Sequence, residues 1–145
     1  MINLAAAYID EAGTHDGAPV ICAGGYIFEA GKAAALNDEM GALFDDYGIP
    51  YFHASEILAG QFKEGGKGTF DHLKANDRDL LARSFIKSIK EHSTYGFAAT
   101  VREADYDRIA GKYPDMPKAY GFMLMACVFL VSRWLERSKF PGEVF

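Results

Sequence analysis

The chain has 145 residues, half of them apolar, with 15 Lys plus Arg against 20 Asp plus Glu. That is enough for one soluble globular domain with its own core, and it excludes disorder, collagen and coiled coil. The formal net charge of −5 weighs against a nucleic-acid binder, because phosphate contacts draw on a surplus of Lys and Arg. The average conceals a split. Residues 1–60 hold one base, Lys32, against nine acids, and residues 61–145 hold 14 bases against 11 acids. Cys22 and Cys127 each lie in an apolar run without paired spacing, which predicts reduced core thiols and a cytoplasmic setting. No basic segment leads into an apolar stretch at the N-terminus, and the strongest apolar run, residues 122–131, is about half of what a membrane span needs. A soluble protein without membrane attachment is therefore expected.

In chain order, residues 4–9 read as a strand, followed by the turn-forming run Asp10-Glu11-Ala12-Gly13-Thr14-His15-Asp16-Gly17. Residues 20–28 read as a buried strand, pairing antiparallel with the first, in which Gly24-Gly25 marks a close approach. Residues 30–47 place Leu36, Met40, Leu43, Phe44 and Tyr47 at helical spacing, with Gly48 as the stop. Pro50 biases its predecessor away from helix, so residues 49–58 begin extended and become a short helix or turn at Ser55. The glycine-rich residues 59–75 form a long loop. Residues 76–91 are a helix with Asn76 as N-cap and Leu81, Phe85 and Ile89 on one face. Residues 95–101 are a strand and residues 105–113 a short helix. Pro114-Asp115-Met116-Pro117 breaks the chain before a long helix that runs to about Arg137, apolar over most of its circumference from Tyr120 to Leu135 and thus expected to be buried. Residues 142–145 resemble the start of a strand. Strands alternating with helices give an α/β layer fold.

Asp10 and Glu11 are the sharpest chemical candidates. Adjacent carboxylates at the end of a strand repel unless a cation sits between them, and Mg²⁺ needs only one or two carboxylates beside substrate phosphates. A loop start with solvated acids accounts for the same residues. His53 and Glu56, three apart, share a face if their segment is helical, and His serves as metal ligand or proton relay. The alternative is a short helix capped by Ser55 with Glu56 at its N-terminus. Gly60 and Gly65 have the spacing of a phosphate loop, but Gly66 stands where Lys is required. Asp105 and Asp107 near a strand end are explained as a helix start. Residues 61–90 carry a local surplus of bases. Lys63, Lys67 and Lys74 there are candidate phosphate contacts of a lid, with Phe62 and Phe70 to stack on bases; a solvated helix face with ion pairs such as Asp79 with Arg83 reads equally well.

The runs Tyr8-Ile9-Asp10-Glu11-Ala12-Gly13, Ala23-Gly24-Gly25-Tyr26-Ile27-Phe28 and Tyr51-Phe52-His53-Ala54-Ser55-Glu56, in that order, resemble the domain-of-unknown-function family number three thousand eight hundred, a microbial and phage-associated family of ribonuclease H-like fold. Its first strand typically ends in Asp-Glu-Ser-Gly, so Ala12 departs from the pattern. The resemblance implies a ribonuclease H-like mixed sheet flanked by helices, spanning residues 1–145 as a single domain; members continue to a further Asp, so the chain is expected either to be a fragment or to lack a ligand that complete members have. It implies a nuclease dependent on Mg²⁺ or Mn²⁺ that hydrolyses phosphodiester bonds of nucleic acid with two cations. Asp10 would anchor the metals, Glu11 or Glu56 would hold the second ion, and His53 would orient a water or protonate the leaving group. The rival expectation is a catalytically inactive ribonuclease H-like module that binds nucleic acid or a protein. A homodimer formed through the apolar last helix is a third.

Overall fold

A four-stranded sheet organises the larger part of the chain, as seen in a computed structural model that describes residues 4–13, 18–59, 70–141 and 143–144. The elements run β1 (Leu4–Ala12), β2 (Val20–Glu29), α1 (Ala30–Tyr47), α2 (Ala54–Ala59), α3 (Ala75–His92), β3 (Tyr95–Arg102), α4 (Glu103–Ala110), α5 (Ala119–Ser138) and β4 (Glu143–Val144). The fold is mixed α/β, as expected. Two compact units divide it: Met1–Ala30 with Ser93–Phe145, and Gly31–His92.

In the first unit the strand order is β3-β2-β1-β4, with β1, β2 and β3 successively antiparallel. The two residues of β4 run parallel to β1, Glu143 opposite Leu4. The turn-rich composition after Ile9 predicts a loop there, yet β1 continues to Ala12. Asp10, Glu11 and Ala12 pair with Gly24, Ala23 and Cys22, so the hairpin ladder overrides local propensity. Gly25 makes that ladder possible, because a Cβ there would collide with the Tyr8 carbonyl oxygen.

Side chains alternate across the sheet. Ala5, Ile21, Ala23, Ile27 and Phe97 lie on the face that packs against Met123 and Cys127 of α5, with Leu130, Val131 and Trp134 partly buried around them. Only that stripe of α5 is covered. Met125, Val128 and Phe129 are 62%, 58% and 62% exposed, so the expectation of a buried helix is wrong over its outer side. An apolar composition fixes how much of a helix prefers shelter, not whether partners exist on every side. Among the described residues α5 is also the one helix long and apolar enough, by length and composition, to cross a membrane. Its apolar residues are divided between the sheet-facing and exposed sides. Tyr106 of α4 is buried, and its hydroxyl donates to the Pro117 carbonyl, tying down the segment that leads into α5.

The second unit is built on Ile49, Ile57, Phe70, Leu73 and Leu81, with Leu43, Phe44, Tyr47 and Phe52 packed around them. Gly48 ends α1 with φ +61°, as its position predicts. The His72 ring adds a hydrogen bond of 2.9 Å to the Tyr47 carbonyl oxygen. The N-terminus of α3 differs from expectation. Asn76 is not the cap; α3 starts at Ala75, and Asp77 accepts from the Lys74 N–H at 3.3 Å, half of a capping box. Glu39 joins α1 to α3 through both carboxylate oxygens. Oε1 accepts from the buried Ser88 hydroxyl at 2.5 Å, and Oε2 lies 3.2 Å from His92 Nε2.

Two outcomes follow from the first unit. Gly25→Ala is expected to destabilise it by about 1–3 kcal/mol, read as a lower urea midpoint. The Cys127 thiol is pushed above its ordinary value of 9.0, by burial first and by the neighbouring Cys22 second. A folded-state pKa above the unfolded one gives stability that is fully present below the unfolded value and is lost as pH rises through the folded one. Thermal midpoints should therefore fall as the pH climbs past 9.0, and Cys127→Ala should flatten that alkaline decline.

Candidate functional site

Asp10 and Glu11 stand side by side within β1, not beyond its end, and period-two geometry sends them to opposite faces of the sheet. Glu11, opposite Ala23, shares the face that packs on α5; Asp10, opposite Gly24, shares the other face with Tyr8 and Tyr26. The expectation of one cation between the two carboxylates is corrected on this ground, since an ion held on one face is out of reach of the other side chain. Asp10 Oδ1 accepts from the Glu11 N–H at 2.9 Å, and both residues are exposed.

The strands beside Asp10 are bare. Across β2 and β3 its row continues as Gly24 and Ala98, and the next row is Tyr8, Tyr26 and Gly96. The Tyr26 ring lies over Gly96, where a Cβ would come within 3.0 Å of the ring. The result is a shallow hollow of about 450 Å³ lined by Gly24, Gly25, Tyr26, Gly96, Phe97 and Ala98. Small residues let a ligand's backbone approach the strands closely.

His53 and Glu56 belong to the second unit and do come together. His53 immediately precedes α2, and its carbonyl accepts from the Glu56 and Ile57 N–H groups at 3.1 and 3.0 Å. That turn brings Glu56 Oε1 to 3.2 Å from His53 Nδ1. The helix thus starts at Ala54, with Ser55 its second residue. Tyr51, which the spacing of charged residues did not single out, donates its hydroxyl to Glu56 Oε2 at 3.3 Å. Its ring meets Phe70 edge-on at 5.4 Å, and the neighbouring Phe52 stacks on Phe85 at 3.8 Å. A carboxylate on Nδ1 holds a neutral imidazole in the tautomer with its basic lone pair on Nε2.

The remaining candidates separate. Lys74 is exposed at the start of α3, while Lys63, Lys67 and Phe62 lie outside the described residues. Phe70 is 4% exposed and serves the core of the second unit, so it is not available to stack on bases. Asp79 and Arg83 form the expected ion pair at 2.8 Å, and the Asp79 hydrogen bond holds the Arg83 pKa above its ordinary value. Asp105 is gripped by Arg102 and Arg108, which accounts for it at the start of α4.

Among the described residues no three His, Cys, Asp or Glu side chains gather into a metal-holding group. On the Asp10 face the described residues offer one carboxylate, where Mg²⁺ takes one or two beside substrate phosphates. That donor set does not fit a pair of cations held by protein ligands. No family model, no curated protein and no solved structure matches the chain.

Because Asp10 is exposed and its one hydrogen bond is to the adjacent backbone, Asp10→Asn is expected to change stability by less than about 0.5 kcal/mol. Denaturant unfolding checks this, and a larger loss would mean that the carboxylate is structural.

Proposed function

We propose that the chain is a ribonuclease H-like phosphodiesterase acting on nucleic acid with Mg²⁺ or Mn²⁺, and that Asp10 is the carboxylate that anchors the cation. The setting of Asp10 carries this reading: an exposed carboxylate on β1, paired with Gly24 of β2, next to a hollow floored by glycine and alanine. The mixed sheet supports it too, since three antiparallel strands and then β4 returning parallel beside β1 form the kind of sheet the family resemblance implies. A divalent ion bound there would supply positive charge to a phosphate oxygen and lower the pKa of its water. Asp10 would fix that ion's position, and the bare strands would leave room for the sugar-phosphate chain. Glu11, on the other face, is left out of the same ion's shell. The His53–Glu56 pair has the chemistry of a proton acceptor and donor, with Glu56 orienting the ring and Tyr51 orienting Glu56. Lys63, Lys67 and Lys74, in the second unit, are phosphate contacts proposed from the sequence alone.

The second reading, an inactive module that binds nucleic acid or a protein, is favoured by the lack of a three-ligand cluster among the described residues. Cation titration and cleavage separate the two. On the nuclease reading Mn²⁺ raises the thermal midpoint, with about 2.7 kcal/mol of stabilisation at a hundredfold excess over its Kd. Asp10→Asn removes that shift and lowers Mn²⁺-dependent cleavage of single-stranded DNA or RNA by about two orders of magnitude. Unchanged cleavage in Asp10→Asn sinks the assignment, and absence of both cleavage and a midpoint shift in the parent protein leaves the binding module.

A further inference from the structure

We propose that the first unit carries a nucleotide-binding slot between the start of β3 and the outer flank of α5, separate from the Asp10 face. A recess of about 300 Å³ is lined by Tyr95, Phe129, Leu130, Arg133, Trp134 and Arg137. Tyr95 and Trp134 lie nearly parallel, with centroids 5.9 Å apart and an interplanar angle of 21°. Phe129 is 62% exposed, a large apolar ring left in water at the rim. Tyr95 also meets Phe97 at 6.4 Å and Trp134 meets Phe140 at 5.6 Å, so the ring most open for a nucleobase to stack on is Phe129.

The charge at the slot selects the ligand. Arg133 and Arg137 stand one turn apart on the same stripe of α5, Arg137 in its last turn, where the helix dipole favours a cation. Glu136 meets Arg133 at 3.0 Å, whereas Arg137 meets no carboxylate among the described residues. Guanidinium groups hold phosphate through paired N–H donors. A planar ring with a phosphate attached satisfies both halves of the slot, and a neutral aromatic or a bare phosphate satisfies one. The structure assigns to this place a nucleotide phosphate, free or at the end of a strand.

Trp134 is the chain's one tryptophan, so its fluorescence reports the slot directly. Titration of the full chain with AMP should quench it saturably, and adenosine should bind about tenfold more weakly for want of the charged contacts. Arg137→Gln should weaken AMP by a similar factor and leave adenosine unchanged. Arg133→Gln serves as a second variant, with circular dichroism verifying the fold of each. A 5′-phosphorylated trinucleotide binding more tightly than AMP points to a strand end; AMP binding as tightly or more so points to the free nucleotide. No saturable quenching by AMP or the trinucleotide, or equal binding of AMP and adenosine, or an unaltered AMP affinity in both arginine variants overturns the proposal. Asp10→Asn should bind AMP as the parent does, so failure here and failure of the nuclease reading are told apart.

Discussion

The pairing register of β1 with β2 decides which residues the sheet offers to a ligand and which it gives to the core. Tyr8 faces Tyr26 and Asp10 faces Gly24 because the backbones can meet at Gly25, where any side chain would strike the Tyr8 carbonyl. A slip of one residue would turn the whole strand over. Asp10 would then point toward α5, among Ile27, Phe97 and Met123, where a carboxylate is costly to bury. Ile9 would be left in water. The apolar face therefore enforces the position of the acidic residue, although the two never need to touch.

Much of this arrangement is legible in the residues themselves. The helical spacing of Leu36, Met40, Leu43 and Tyr47, with Gly48 after it, locates α1 to the residue. The Gly24-Gly25 pair announces a close backbone approach. What cannot be read is where the pairing of β1 stops, because Asp10 and Glu11 have turn propensities and only the partner strand keeps them extended. The same limit hides the split of the two carboxylates between faces. Their adjacency suggests joint action, and the strand's period of two separates them.

His53 and Glu56 illustrate the opposite case. Their spacing of three is a helical signal, and α2 realises it at 3.2 Å, yet the third member, Tyr51, lies outside the helix and is joined by the extended turn before it. Phe70, which composition alone would allow as a stacking surface, is claimed by a core. In α5 the pattern is read correctly as a strongly apolar helix, but coverage of its outer side depends on partners that periodicity cannot supply.

The division of the chain also bears on the order in which its parts assemble. Gly31–His92 is one continuous stretch, so its contacts close short loops, whereas the sheet-bearing unit is stitched from segments on either side of it. Contacts between distant parts of a chain carry a larger loop-closure cost and form late. The β1–β2 hairpin is local and can form early. Pairing β3 with β2 and β4 with β1 joins segments far apart in the chain. The β2–β3 ladder therefore closes all of Gly31–His92 as a loop, a larger entropic cost than the β1–β2 hairpin bears.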